Sequence, residues 1–296
     1  MKTFINITLV ASLSALTAQA ALVTDNLAQE LNADDIDGLT HGSTWTASTG
    51  ANATLKDRTG TDVLTKESAT VNGGATSSLF SKTLTKDAYE KAGTLGATTS
   101  YLTGTTLSVE LWINTSWTDI PTTSHTIFET GGATMGMSIT MGDNGSGKNN
   151  TLRFAMKDAS NSQFVDVTLD TAAMANFTND DHHQLAVTYD NVDNMSIYID
   201  GALAAANTTT GVIDWNGVSI AGFWGQGGTG LGARDIALDD GTGEGKGSIA
   251  VFRHYTDVLS RMEVKQNYDS TIPEPSSFTL LAGCFALTSI MVRRRR

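Results

Sequence analysis

The stretch that decides the fold runs from Leu107 to Asn114 and reads Leu-Ser-Val-Glu-Leu-Trp-Ile-Asn. Its apolar side chains at alternate positions share one face of an extended strand. The same period of two recurs in Thr134–Met141, Thr151–Lys157, Phe164–Leu169, Gln184–Tyr189, Met195–Ile199, Gly217–Trp224 and Ser248–Tyr255. Many short strands separated by Gly, Asn and Asp predict an all-β sandwich rather than β-α-β units.

Two local signals refine this prediction. Asp200-Gly201 separates the segments Met195–Ile199 and Ala202–Ala206, and Asp-Gly supplies the positive φ angles of a tight hairpin turn. Near the end of the body, Ser260 and Glu263 have the spacing of a capping box, which predicts one short C-terminal helix.

Composition limits the possible functions. The 296 residues include 19 Lys and Arg against 31 Asp and Glu, and 40% are hydrophobic, enough for a core. The acidic balance argues against a nucleic-acid partner, because phosphate contacts need clustered basic residues. The single cysteine, Cys284, excludes an internal disulfide and a Cys-rich zinc site.

The first 20 residues have the pattern of a removable secretory signal. Lys2 supplies the positive charge, Phe4–Leu16 is mostly apolar, and Ala18-Gln19-Ala20 has the form of a cleavage site. The alternative is a buried N-terminal helix, which the order of charge, apolar run and small residues disfavours.

The C-terminal end has three parts. A rigid Pro273-Glu274-Pro275 is followed by an uncharged apolar segment, 276–292, and then by Arg293, Arg294, Arg295 and Arg296. As a helix the apolar segment would reach about 25 Å, the short limit for crossing a bilayer. The arginines would remain in the cytoplasm. An amphipathic surface helix is disfavoured because the segment has no polar face.

This tail resembles the PEP-CTERM sorting signal of exopolysaccharide-producing Gram-negative bacteria. The resemblance implies recognition by an exosortase in the inner membrane, removal of the membrane helix, and delivery to the cell surface or extracellular matrix. The chain therefore divides into a signal peptide (1–20), a body (21–272) and a sorting signal (273–296). The mature body would be free of cysteine.

The body resembles the LamG-like jelly-roll group of the concanavalin A-like lectin/glucanase superfamily over about 106–268. The matching stretches are Leu107–Asn114, His183–Asp190, Ser196–Leu203 and Gly247–Tyr255, with the closing Leu259-Ser260 and Glu263. His182 stands where the family usually has Trp. Residues 21–105 match only loosely, through Trp45, and are interpreted as the first strands of the same antiparallel jelly-roll sandwich.

The carboxylates do not predict a catalytic site. A retaining glycosidase needs two carboxyl groups about 5–5.5 Å apart, and the glucanase branch of the superfamily presents them as Glu-x-Asp-x-Glu on one strand. No such run is present. Glu110 and Glu129 are single acids on different strands, and Glu110 is interpreted as the polar face of its strand. No catalytic residue is assigned.

Two acidic, Gly-rich loops are candidates for calcium, since calcium prefers carboxylate, amide and carbonyl oxygens. The first contains Asp143 and Asn144; the second contains Asp239, Asp240 and Glu244. The adjacent acids of the second loop repel one another without a cation, which favours it. The alternative is two solvated turns, where Asp, Asn and Gly are common.

Three tryptophans, Trp117, Trp215 and Trp224, are candidates for stacking on sugar rings. The alternative is that each anchors its loop to the core. His182 and His183 have the look of a metal motif, but neighbouring residues on a strand point to opposite faces, so a turn entering the next strand is the better interpretation.

We therefore expect a secreted, non-catalytic binding or matrix protein whose partner is an extracellular polysaccharide or a surface protein. Two alternatives stay open. One is a polysaccharide-acting hydrolase or lyase with dispersed acids. The other is a structural component of a biofilm or envelope without a specific small ligand.

Overall fold

A computed structural model describes residues 20–39, 43–50, 52–54, 56–57, 64–71, 74–86, 93–98, 106–114, 125–131, 136–142, 151–157, 162–168, 181–190, 194–208, 220–223 and 247–272. These residues form two antiparallel β-sheets and one α-helix. The all-β prediction is therefore confirmed. The predicted signal peptide, except Ala20, and the predicted sorting tail lie outside the described residues.

The elements are numbered in chain order. The strands are β1 (Leu27–Ile36), β2 (Thr44–Thr49), β3 (Ala53–Thr54), β4 (Lys56–Asp57), β5 (Leu64–Ser68), β6 (Lys82–Lys86), β7 (Gly93–Thr98), β8 (Leu107–Asn114), β9 (His125–Gly131), β10 (Gly136–Gly142), β11 (Thr151–Lys157), β12 (Ser162–Thr168), β13 (His183–Tyr189), β14 (Asn194–Ile199), β15 (Ala202–Thr208), β16 (Ile220–Phe223) and β17 (Gly247–Tyr255). The helix, α1, spans Arg261–Thr271.

One sheet has ten strands. Its path is β15-β14-β13-β8-β17-β1-β2-β3, and β6 pairs with both β17 and β5. The central strands β8 and β17 therefore have neighbours along both edges. The other sheet has seven strands in the order β12-β11-β10-β9-β16-β7-β4.

The core lies between the two sheets. Leu107, Val109, Leu111 and Ile113 of β8 are all buried in one cluster with residues of both sheets, as the alternation predicts. The members contributed by the seven-stranded sheet include Phe128, Met137, Ile139, Phe154 and Val165. Burying a large apolar side chain contributes about 1.5–3 kcal/mol, so this cluster holds the sheets together.

Strand boundaries agree best where the alternation is clean. β8 and β11 begin and end as predicted; the described β10 and β16 overlap the predicted Thr134–Met141 and Gly217–Trp224, whose other residues lie outside the described ranges. No boundaries were predicted for β9. In that strand the consecutive residues Ile127 and Phe128 both join the core, because a register shift against β10 interrupts the alternation.

The described strands before residue 106 pair within the same two sheets. Strand β1 pairs with β17 on one side and β2 on the other. Trp45 of β2 is buried in the common core, and its indole Nε1 donates a 2.6 Å hydrogen bond to the carbonyl of Asn32.

The predicted hairpin turn is present between β14 and β15. Asp200 and Gly201 have φ angles of 49° and 74°, the positive values that a tight turn requires. Gly201 also lies against α1, where an added Cβ would stand 3.1 Å from the Cβ of Tyr268. Turn geometry and helix contact therefore both favour glycine at this position.

Within the ranges given above, no helix combines the length and hydrophobicity needed to cross a bilayer.

Candidate functional site

Helix α1 covers the face of the ten-stranded sheet that points away from the core. Its first turn has the predicted capping box: Ser260 Oγ accepts from the Glu263 backbone N–H, and a Glu263 carboxylate oxygen accepts from the Ser260 N–H at 2.7 Å. The buried side of the helix presents Val264 and Asn267 to the sheet. Tyr268 stacks on Trp112 of β8, with 5.9 Å between ring centroids. Beneath α1, the outer face of the ten-stranded sheet is therefore shielded from solvent.

A buried ion-pair group lies on the outer face of this sheet. Arg253 of β17 is 1% exposed; its Nε donates to a Glu30 carboxylate oxygen at 2.7 Å, and its Nη1 donates to a Glu110 carboxylate oxygen at 2.8 Å. Glu110 of β8 is 0% exposed. Glu110 points away from the core, on the polar face of its strand as interpreted, and α1 covers it.

Trp112, Asn267 and Tyr255 complete the hydrogen bonding of this group. Trp112 Nε1 donates to Glu110 at 3.0 Å, and Asn267 Nδ2 donates to the other Glu110 oxygen at 2.7 Å. Asn267 Nδ2 also lies 2.9 Å from the Tyr255 hydroxyl oxygen, which accepts from it. Glu30, Glu110, Trp112, Arg253, Tyr255 and Asn267 are hereafter called the Arg253 network.

The N-terminal residues 21–23 form hydrogen bonds with the Arg253 network and with the neighbouring part of α1. The backbone N–H of Val23 donates to the Asn267 amide oxygen at 2.9 Å, and the Tyr255 hydroxyl donates to the Val23 carbonyl at 3.2 Å. Nearby, Gln266 Nε2 donates to the carbonyl of Ala21 at 2.7 Å. Residues 21–23 are therefore held against the helix from both its buried and its exposed sides.

Electrostatics support a charged Arg253 network. Burial opposes ionisation of Glu30, but the positive charge of Arg253 and the hydrogen bonds from Ser48 and Arg253 outweigh it, so the pKa of Glu30 lies below its usual value. Burial likewise opposes the charged form of Arg253, yet Glu110 and Glu30 raise the pKa of the guanidinium. Burial and the nearby Glu110 raise the pKa of Tyr255, which stays a neutral donor.

The two carboxylates of this network are not arranged for glycoside hydrolysis. A glycosidase places the sugar between its two acids, whereas Arg253 binds both Glu30 and Glu110 and is itself buried. The other single acid considered from sequence, Glu129, lies on β9 in the opposite sheet. Glu30 and Glu110 therefore form a structural group rather than a catalytic pair.

Sequence reasoning missed Glu30, Arg253 and Asn267. The available signal was an arginine directly after the apolar run Ile249–Phe252, since a charge in a strand buried on both faces needs a partner. The identity of that partner has no sequence signal, because Glu30 lies 223 residues from Arg253.

The two neighbouring histidines, of which His182 precedes β13 and His183 begins it, have separate structural partners. His182 Nε2 lies 2.8 Å from the Thr83 hydroxyl, and His183 Nδ1 lies 2.8 Å from the carboxylate of Asp200. The side chains hold β6 and the β14–β15 turn against the start of β13.

We expect the stability of the protein to fall between pH 7 and pH 5. Burial lowers the pKa of both His182 and His254 to about 4, from the usual 6.5. The unfolded chain therefore binds protons first as the pH falls through 6.5, and the loss continues until about pH 4. Each group contributes roughly 2 kcal/mol of this loss by pH 5.

Urea unfolding at the two pH values measures the effect. His182→Gln should remove about half of the pH dependence while leaving the contribution of His254. An unchanged unfolding midpoint between pH 7 and pH 5 would contradict the buried neutral state of these histidines.

The candidate ligand-binding residues lie outside the described residues. These are Trp117, Trp215 and Trp224 for sugars, and Asp143, Asn144, Asp239, Asp240 and Glu244 for calcium. Among the residues that are described, no three His, Cys, Asp or Glu side chains form a group able to hold a metal ion.

The fold has solved counterparts. The binding domain of botulinum neurotoxin serotype D/C is 17% identical over 83% of this chain and 52% of that chain, with a TM-score of 0.53. The receptor binding domain of a neurotoxin C/D mosaic serotype is 13% identical over 83% and 52%, also with a TM-score of 0.53. That of neurotoxin type G is 16% identical over 82% and 51%, with a TM-score of 0.51.

The chain spans about half the length of these solved chains, and at such low identity the likeness is one of fold. No curated protein matches the chain. A family model described as the Concanavalin A-like lectin/glucanases superfamily, Laminin_G_3, matches residues 87–265, more than half of the sequence. This match covers β8, β17 and the first turn of α1, and the chain belongs to the concanavalin A-like lectin/glucanase superfamily.

Proposed function

We propose that this protein is an exported surface or matrix protein of a Gram-negative bacterium whose sandwich is a non-catalytic binding domain. Its partner is an extracellular polysaccharide or a surface protein. The observation that carries the proposal is that Glu110 and Glu30 are both bound to a buried arginine and so do not form a catalytic pair. The solved counterparts carry receptor-binding names, which agrees with a binding role for this architecture.

Calcium is the proposed cofactor of the ligand site. The chain has 31 acidic against 19 basic residues, so an acidic polysaccharide would be repelled unless a cation joins the two. Asp239, Asp240 and Glu244 are the better proposed ligands, with Asp143 and Asn144 as a second group. Trp117, Trp215 and Trp224 remain the proposed aromatic platforms for sugar rings.

Binding of the body Ala21–Ile272 to a broad glycan array, with calcium and with chelator, tests the proposal. We expect saturable binding that falls at least about tenfold in chelator or in Asp239→Asn/Asp240→Asn, since a lost cation removes its charge-assisted contacts. Thr168→Ala, on an exposed strand position, is the matched control and should bind like wild type. Absence of binding under both conditions would favour a protein partner or a purely structural role.

Hydrolysis is the competing function, because the superfamily includes glucanases. The same purified body, incubated with a panel of polysaccharides, should release no new reducing ends and no unsaturated products. Turnover of any substrate in the panel would overturn the non-catalytic proposal.

Export and sorting are the second part of the proposal. The supporting observations are the signal pattern of residues 1–20 and the sequence of Pro273, Glu274, Pro275, an apolar segment and four terminal arginines. If an exosortase processes the chain, mass spectrometry of the surface protein should find the body without Arg293–Arg296. Intact arginines on surface-exposed protein would instead indicate a permanent membrane anchor.

A further inference from the structure

Both ends of the body leave it from the same face. Residue Ala21, the first after the predicted signal peptide, is hydrogen bonded to Gln266 on α1. Five helical residues separate Gln266 from Ile272, where the helix has ended, and the six steps of about 1.5 Å span about 9 Å along the helix axis. The two exits are therefore separated by only about 10 Å along the outer surface of the ten-stranded sheet.

The helix end is fixed to the body rather than free to swing. The carbonyl of Thr271 accepts a hydrogen bond from the backbone N–H of Ser78 at 3.1 Å, and the hydroxyls of Ser77 and Ser78 donate to the same oxygen. Thr271 and Ser270 are buried. The direction in which the chain leaves the sandwich is thus set by the fold.

The link to the predicted membrane segment is short. Only Pro273-Glu274-Pro275 separates Ile272 from the apolar run that begins at Ser276, and an extended chain of this length reaches at most about 14 Å. A globular body of about 250 residues has a radius of gyration of about 18 Å. The link is shorter than the body is wide, so the body cannot turn its opposite side toward the bilayer while the tail is inserted.

We propose that the face formed by α1 and residues 21–23 is the surface that lies on an anionic phospholipid bilayer before the tail is removed, with the seven-stranded sheet directed away from it. This inference rests on the proposed export and sorting function. The seven-stranded sheet then faces the periplasm, away from the inner membrane, and its outer surface is accessible as soon as the chain has crossed that membrane.

The exposed side of α1 suits this position. Met262 is 83% exposed, and the neighbouring Arg261 and Lys265 are exposed bases in a chain with an excess of acids. Within α1 the bases Arg261 and Lys265 balance the acids Glu263 and Asp269, so this helix adds no net negative charge against anionic headgroups, unlike the acidic chain as a whole. On the far side of the sandwich, the strand β12 exposes Phe164 and Thr168.

Site-specific fluorescence can test the orientation. The full chain with Cys284→Ser carries a single labelled cysteine at either Met262→Cys or Thr168→Cys, two exposed positions on opposite sides of the sandwich. Each protein is reconstituted into vesicles of phosphatidylethanolamine and phosphatidylglycerol that contain headgroup-nitroxide lipid. We expect about a twofold loss of fluorescence at position 262, which lies on the exposed side of the helix that the proposal places against the bilayer. Little loss is expected at 168, since the two sheets alone are about 10 Å apart.

The outcomes separate the two proposals. Protein that floats with the vesicles and shows equal quenching at both positions, or stronger quenching at 168, overturns the orientation but leaves the membrane tail intact. Protein that does not float overturns the membrane tail, and the orientation with it. Floating with preferential quenching at 262 supports both.

Discussion

Replacing Arg253 with methionine should lower the free energy of unfolding by about 3–5 kcal/mol, the cost of breaking a buried ion pair from one side. The guanidinium is 1% exposed and bonds both Glu30 and Glu110. Methionine fills a similar volume but leaves the fully buried Glu110 carboxylate with no opposite charge. The remaining donors, Trp112 and Asn267, stabilise that carboxylate only in part.

Urea unfolding at pH 7, followed by circular dichroism, measures this loss. Lys265→Met is the matched control, because its exposed pair with Asp269 contributes only about 0.3–0.5 kcal/mol. The double variant Glu110→Gln/Arg253→Met removes both fully buried charges and should lose less than the sum of its single variants. A loss in Arg253→Met no larger than that of Lys265→Met would contradict a structural role for the ion pairs.

The Arg253 network also shows where prediction from the sequence stops. Alternation in Leu107–Asn114 predicts which side chains of β8 face the core, and the structure agrees. The same pattern contains no information about the other face, because a polar residue is equally expected beside water and beneath a helix. Glu110 is buried by a helix that begins at Arg261, and only long-range chain topology brings the two together.

The N-terminal strands were hard to place for a different physical reason. In β2 the inward positions are Trp45 and the small Ala47, and the rest are Thr and Ser, so the alternation in hydrophobicity is weak. Their position beside β1 is fixed by pairing rather than by pattern. The capping box and the Asp200-Gly201 turn were predictable because each depends on contacts within four residues.

The prediction of the candidate ligand-binding residues rested on composition alone. Acidic Gly-rich loops and isolated tryptophans have no period that would fix their orientation, so the sequence indicates which residue types are available but not which of them converge. The fold and the closing helix were therefore within reach of sequence reasoning, whereas the partner must be established by binding experiments.

Replacing Asn267 with alanine should lower the free energy of unfolding by about 2–4 kcal/mol, because it leaves several buried polar groups short of a partner. One side chain serves the Glu110 carboxylate, the Tyr255 hydroxyl and the backbone N–H of Val23. Alanine offers none of these contacts and is too small to exclude water from the space.

The substitution should also have a local effect that simple destabilisation would not produce. In native-state hydrogen exchange, the amide of Val23 loses its acceptor and should exchange at least about tenfold faster than the global loss of stability requires. The amide of Leu111, in central β8, should change only by the global amount.

Gln266→Ala is the control: it removes the exposed contact to Ala21, one residue along the same helix, and should cost less than about 1 kcal/mol. An equal increase in the exchange rates of the Val23 and Leu111 amides would show that Asn267 stabilises the sheet as a whole and does not specifically hold the N-terminal segment against the helix.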